Sequence, residues 1–123
     1  MAKYEIGQVW EYETRPGEEE SRLYIGEIDE HEELGKIYHI YVENVMIENK
    51  RIESGHQTAL PHAPVSESAL DASVTKFVEK IDVTPDVSHG HKIWKEAFDS
   101  GNAGVYNIPV AKIVEYIESI AKQ

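Results

Sequence analysis

The chain contains no cysteine. Disulfides, thiolate chemistry and cysteine-held zinc or iron–sulfur centres are excluded together. Long apolar runs are also missing. No stretch approaches the ~20 apolar residues that a membrane-spanning helix needs. The opening residues Met1-Ala2-Lys3-Tyr4-Glu5 lack the apolar core of a secretory signal, so a cytoplasmic protein is expected. Basic residues are few: 12 Lys+Arg stand against 23 Asp+Glu, for a formal net charge of −11. The excess is uneven, with 14 acids and 6 bases in residues 1–53 but 9 acids and 6 bases in residues 54–123. Such a field repels phosphate backbones and anionic membrane surfaces and attracts basic proteins. Neither nucleic acid nor membrane is therefore expected as a partner.

Catalytic signatures are scarce as well. The sequence has no Gly-x-x-x-x-Gly-Lys, no Gly-x-Gly-x-x-Gly and no Gly-x-Ser-x-Gly. Phosphate cradles and the usual serine-nucleophile elbow are thus absent. No catalytic residue, cofactor or metal ligand is assigned from the sequence.

What remains is enough for one domain over residues 1–123, with 41% apolar residues to fill its core. Gln8 to Thr14 alternates with period two, as a half-buried strand does. Arg15-Pro16-Gly17-Glu18 reads as a turn. A second strand spans Ser21 to Asp29, where Gly26 marks a bulge or a close crossing. Ile37 to Val42, apolar on both faces, reads as a central strand. Asn44 to Glu53 either prolongs it or begins another. Gln57 to Leu60 is a short fourth strand, ended by Pro61 and Pro64.

Beyond that point the spacing changes. Ser66 is an N-cap, and Leu70, Val74, Phe77, Val78 and Ile81 form an apolar stripe of helical period. This predicts a helix over 66–81. Thr84-Pro85-Asp86 precedes a second helix starting near Ser88, with Val87, His91, Trp94 and Phe98 in register. Gly104 to Ile108 reads as a short strand, and Pro109 opens a last helix with Val110, Ile113, Val114, Ile117 and Ile120 buried. The expected class is α+β: a bent antiparallel sheet or small, partly open barrel, packed by about three helices from the C-terminal half.

Three stretches resemble a group of small bacterial proteins of unassigned function. They are Gly7-Gln8-Val9-Trp10-Glu11-Tyr12 with Thr14-Arg15-Pro16-Gly17-Glu18-Glu19, Leu60-Pro61-His62-Ala63-Pro64-Val65-Ser66-Glu67, and Trp94-Lys95-Glu96-Ala97-Phe98. The resemblance implies a bacterial cytoplasmic protein and carries no functional residue.

Charge and loop positions favour a non-enzymatic acidic protein that engages a basic protein partner, as an inhibitor or immunity protein does. Its contact residues would be Arg15, Glu18, Glu19 and Glu20 at one turn and Asp29, Glu30, Glu32 and Glu33 at the next. The two turns would form one patch if they were neighbours. A second reading is a metal-binding or hydrolytic enzyme built on His56, His62, His89 and His91. His89 and His91, two apart on one helix, would not share a face. A third is a small-ligand site on strand aromatics, notably Trp10 and Tyr38. The oligomeric state is expected to be monomer or homodimer, with an exposed Ile37–Val42 edge as the pairing strand in a dimer.

Overall fold

The computed structural model describes residues 3–123. Met1 and Ala2, where the reading for a signal segment begins, lie outside the described residues. Five strands, β1 (Gln8–Tyr12), β2 (Arg22–His31), β3 (Gly35–Glu48), β4 (His56–Ser66) and β5 (Val74–Lys80), form one sheet in the order β4-β3-β2-β1-β5. Every strand pair is antiparallel. The helices are α1 (Glu67–Ser73), α2 (Ser88–Asp99) and α3 (Val110–Ala121). The fold is α+β with an open, bent sheet. None of the described helices is long and apolar enough to cross a membrane.

One sheet face carries the main core. Leu23 and Ile25 of β2, Tyr38, Ile40 and Val42 of β3, and Leu60, Ala63 and Val65 of β4 meet Leu70 of α1 and Val110, Ile113 and Val114 of α3. Burying each of the larger aliphatic side chains contributes about 1.5–3 kcal/mol. A buried serine joins the two helices. Ser73 Oγ donates to the Ala69 carbonyl at 2.7 Å and accepts the Val110 amide at 2.8 Å. Proline at the cap position of α3 offers no side-chain hydrogen bond, so Ser73 supplies it from another element.

On the opposite face, α2 packs on β4 and covers β3 around His39. Its position depends on Gly26. Ile25 pairs with Ile40 but Glu27 pairs with His39, so Gly26 is an extra residue in β2. The inserted residue reverses the in–out alternation. Leu23 and Ile25 face the main core; beyond the bulge Ile28 does, and Glu27 and Asp29 turn toward α2. Glycine is required there because a Cβ would stand 2.8 Å from Val87 Cγ2 at the entry to α2. In β4 a similar bulge sets Pro61 and His62 together opposite Tyr41, which leaves His62 on the α2 side.

Several sequence expectations are corrected. Ser66 does cap a helix, its Oγ accepting from the Ala69 amide at 3.1 Å. That helix ends at Ser73, and Val74–Lys80 is a strand rather than a continuation. Its two bulges against β1 place Val74, Phe77 and Lys80 opposite Tyr12, Trp10 and Gln8, all on one face. Each bulge stretches the two-residue repeat to three, which imitates a helix.

Pro61 and Pro64 do not end β4. The strand lies at the sheet edge; Pro61 occupies its bulge, and the backbone of Pro64 faces outward, where its carbonyl accepts the Tyr106 amide at 2.9 Å. Proline is tolerated at just such positions. The expected strand over 104–108 is a single parallel bridge between Tyr106 and Val65. Ile37–Val42 lies inside β3, flanked by β2 and β4, so it cannot be the free edge of a homodimer. The ambiguous residues 44–48 prolong β3, past Asn44 at φ 54°.

Candidate metal centre

Beneath α2, four polar side chains from four elements converge. His39 of β3 is wholly buried. Its Nε2 lies 3.0 Å from Asp29 Oδ2 on β2, and its Nδ1 lies 2.8 Å from His62 Nε2 on β4. His91 of α2 brings its Nε2 to 2.8 Å from the same Asp29 Oδ2. Trp94, one turn further along α2, closes over His39 edge-to-face with ring centroids 4.9 Å apart. Its indole N–H donates to the Gly104 carbonyl at 2.8 Å.

The protonation pattern follows from burial and partners. Burial pushes His39 down, outweighing the upward pull of the hydrogen bond to Asp29. Burial, with the charges of His39 and His91, pushes His62 down to about 4. Burial raises the Asp29 carboxyl, but hydrogen bonds from His91 and His39 more than offset this and hold it below the ordinary carboxylate range. At neutral pH the group is therefore one carboxylate with neutral imidazoles at His39 and His62. An ionised carboxylate only accepts, so His39 donates from Nε2 and must accept at Nδ1 from His62 Nε2–H. His91 donates from Nε2. No buried side-chain polar atom among the described residues lacks a partner.

The same atoms are suited to a divalent ion. Asp29, His39 and His91 each offer one ligand atom, all within 4.8 Å of one another. Tetrahedral metal–ligand bonds of about 2.0–2.2 Å place neighbouring ligand atoms about 3.3–3.6 Å apart. The separations from Asp29 Oδ2, 3.0 and 2.8 Å, are hydrogen-bond distances a few tenths of an ångström shorter, so the side chains would have to part slightly to admit an ion. His91 also lines a groove of about 260 Å³ with Gly26, Glu27 and the Thr84–Ser88 segment.

The sequence-derived candidates are dispersed. Of the proposed histidine set, His62 and His91 converge, while His56 and His89 are exposed and outside the cluster. Asp29, read as part of an acidic patch, is instead the hub of this centre. His39, which lies inside the Ile37–Val42 strand and is not among the sequence-derived candidates, is its most buried member. The available signal was a histidine inside a strand apolar on both faces, which must find partners there.

Arg15 and Glu18 are not open to a partner. Glu18 is 5% exposed; its carboxylate takes Arg15 Nε at 2.9 Å and Nη2 at 2.7 Å and accepts the Met46 amide at 2.6 Å. Arg15 also donates to Glu118 at 2.8 Å. The pair clasps the β1–β2 connection to β3 and α3. Glu19, Glu20, Glu30, Glu32 and Glu33 are exposed. They sit at opposite ends of the ten-residue β2, about 30 Å apart at the usual rise per residue. The two turns do not make one patch.

Tyr38 is 1% exposed and belongs to the core, so it offers no ligand-binding surface. Trp10 packs between Tyr4 and Phe77, and its N–H is bound to Gln8 at 3.0 Å. No family model, curated protein or solved structure matches this chain.

Proposed function

We propose that this domain binds a divalent transition-metal ion through Asp29 Oδ2, His39 Nε2 and His91 Nε2. One observation carries the reading: three ligand atoms from β2, β3 and α2 converge at a wholly or partly buried point. Two imidazoles with one carboxylate suit zinc and its borderline neighbours better than magnesium or calcium. His39 is neutral and Asp29 ionised, so an ion at neutral pH has no net charge on His39 to displace; the proton on its Nε2 need only pass to the other ring nitrogen. Three protein ligands leave coordination positions for water or a small ligand, as exchangeable rather than purely structural centres do. The groove beside His91 and Glu27 supplies a route for both.

A basic protein partner, the alternative suggested by composition, would have to be engaged by one exposed acidic turn at a time. Nothing in the geometry favours that reading over the metal centre.

Calorimetric titration of the purified, chelator-treated chain with zinc and with cobalt(II) tests the proposal. The expected result is one ion per chain, with Asp29→Asn and His91→Ala each abolishing or strongly weakening binding and His89→Ala leaving it unchanged. A wild-type chain that takes up no ion, or variants that bind as well as wild type, would refute it.

A further inference from the structure

We infer that His62 is the positioning residue of this centre, acting through His39, and that Gly90 is what allows it to do so. The inference rests on the metal reading and adds a partner beyond the three ligands.

His39 is wholly buried, so its second ring nitrogen must be satisfied within the protein. That partner is His62 Nε2, 2.8 Å from Nδ1, with the two rings nearly parallel at 12°. Without an ion, His39 carries its proton on Nε2, donates it to Asp29, and accepts at Nδ1. An ion on Nε2 reverses these roles. The His39 proton must then reside on Nδ1, and His62 Nε2 must accept it. A neutral imidazole can do this by carrying its own proton on Nδ1. Each ring holds one proton before and after, so the exchange is a change of tautomer with no net charge. An ion-bound imidazole whose other N–H meets an acceptor is fixed in orientation and becomes a better ligand.

Gly90 makes the arrangement sterically possible. A Cβ on residue 90 would stand 2.5 Å from His62 Cβ, 2.7 Å from its Cγ and 3.0 Å from its Nδ1. Glycine is a poor residue inside a helix. Here it lets α2 lie directly on His62, so that His62 reaches His39 while the adjacent His91 reaches Asp29. A side chain at 90 would part these two pairs.

The test compares zinc affinity of the full chain with that of His62→Gln, His62→Leu and Gly90→Ala, each checked for folding by circular dichroism. A glutamine amide oxygen can accept where Nε2 does; leucine cannot. The expected result is a loss of about 10–100-fold for His62→Leu. Gly90→Ala should lose affinity in the same direction, and His62→Gln should recover most of it. Equal affinity in wild type and His62→Leu would overturn the inference while leaving the metal centre standing. So would a glutamine variant as weak as the leucine one. A wild-type chain that binds no zinc would overturn both. Should His62→Leu fail to fold, nitrogen-15 spectra of the wild-type imidazoles decide the matter. Zinc should move the His39 proton from Nε2 to Nδ1, and an unmoved proton counts against the inference.

Discussion

Over residues 37–40 both faces of β3 are fully buried, yet they are held by different physics. Toward α1 and α3 the strand presents Tyr38, Ile40 and Val42, and toward α2 it presents Ile37 and His39. On the first face side chains need only fill space. On the second, each polar atom must meet a complementary one, because an unpaired buried donor or acceptor costs about 1–3 kcal/mol. An apolar face tolerates a change of shape better than a polar network tolerates the loss of a member. The same burial thus yields a passive core on one side and a chemically poised group on the other.

Substitutions on β3 would sharpen this contrast. The largest effect is expected for Ile40→Ala, which removes a fully buried side chain and leaves a cavity. Urea denaturation should show a loss of about 2–5 kcal/mol, and a loss under 1 kcal/mol would mean that this face is less tightly packed than described. His39→Leu keeps comparable bulk but strands His62 and leaves Asp29 with His91 alone. A loss of about 1–3 kcal/mol is expected in the same assay. A stabilised variant would show that the polar network specifies function at the expense of stability.

The smallest effect at neutral pH is expected for Tyr38→Phe, whose hydroxyl donates to Glu67 at 3.4 Å. Its signature lies at high pH. Burial, followed by the charge of Glu67, pushes the Tyr38 phenol up to about 12. A folded-state value above the ordinary ~10 means that the folded chain keeps its proton longer than the unfolded chain. The corresponding stability is complete below pH ~10 and is lost as the pH rises through about 12. Tyr38→Phe should therefore flatten the decline of stability between about pH 10 and 12. An unchanged decline would assign it to other phenols, such as Tyr24, which is raised into the same range by burial and Glu43.

Much of the architecture is legible in the residues. Alternation before Leu60, the caps at Ser66 and Pro109, and the stripe Val87, His91, Trp94 and Phe98 all correspond to observed elements. The errors share a cause: local spacing does not report which neighbour a strand will find. Val74 and Phe77 lie three apart as on a helix, yet β5 brings them to one face by bulging against β1. Pro61 and Pro64 looked like terminators, yet an edge strand can spare the amides they lack.

The site was half legible for the same reason. In the sequence His62 and His91 group with His56 and His89, which lie outside the cluster. The convergence of His62 and His91 with Asp29 and His39 depends on the register and bulges of β2, β3 and β4 for residues 29, 39 and 62, and on the packing of α2 against them for residue 91.

The bulge at Gly26 has a consequence for how such a centre is gained or lost. Gly26 itself could be lost without turning the strand over, because Glu27 would then follow Ile25 in ordinary alternation and still oppose His39. Loss of one residue between the bulge and Asp29, such as Ile28, would instead set the Asp29 carboxylate opposite Tyr38, on the apolar side, and withdraw the hub from its imidazoles. The chemistry of this domain is thus set by a count of residues as much as by their identity.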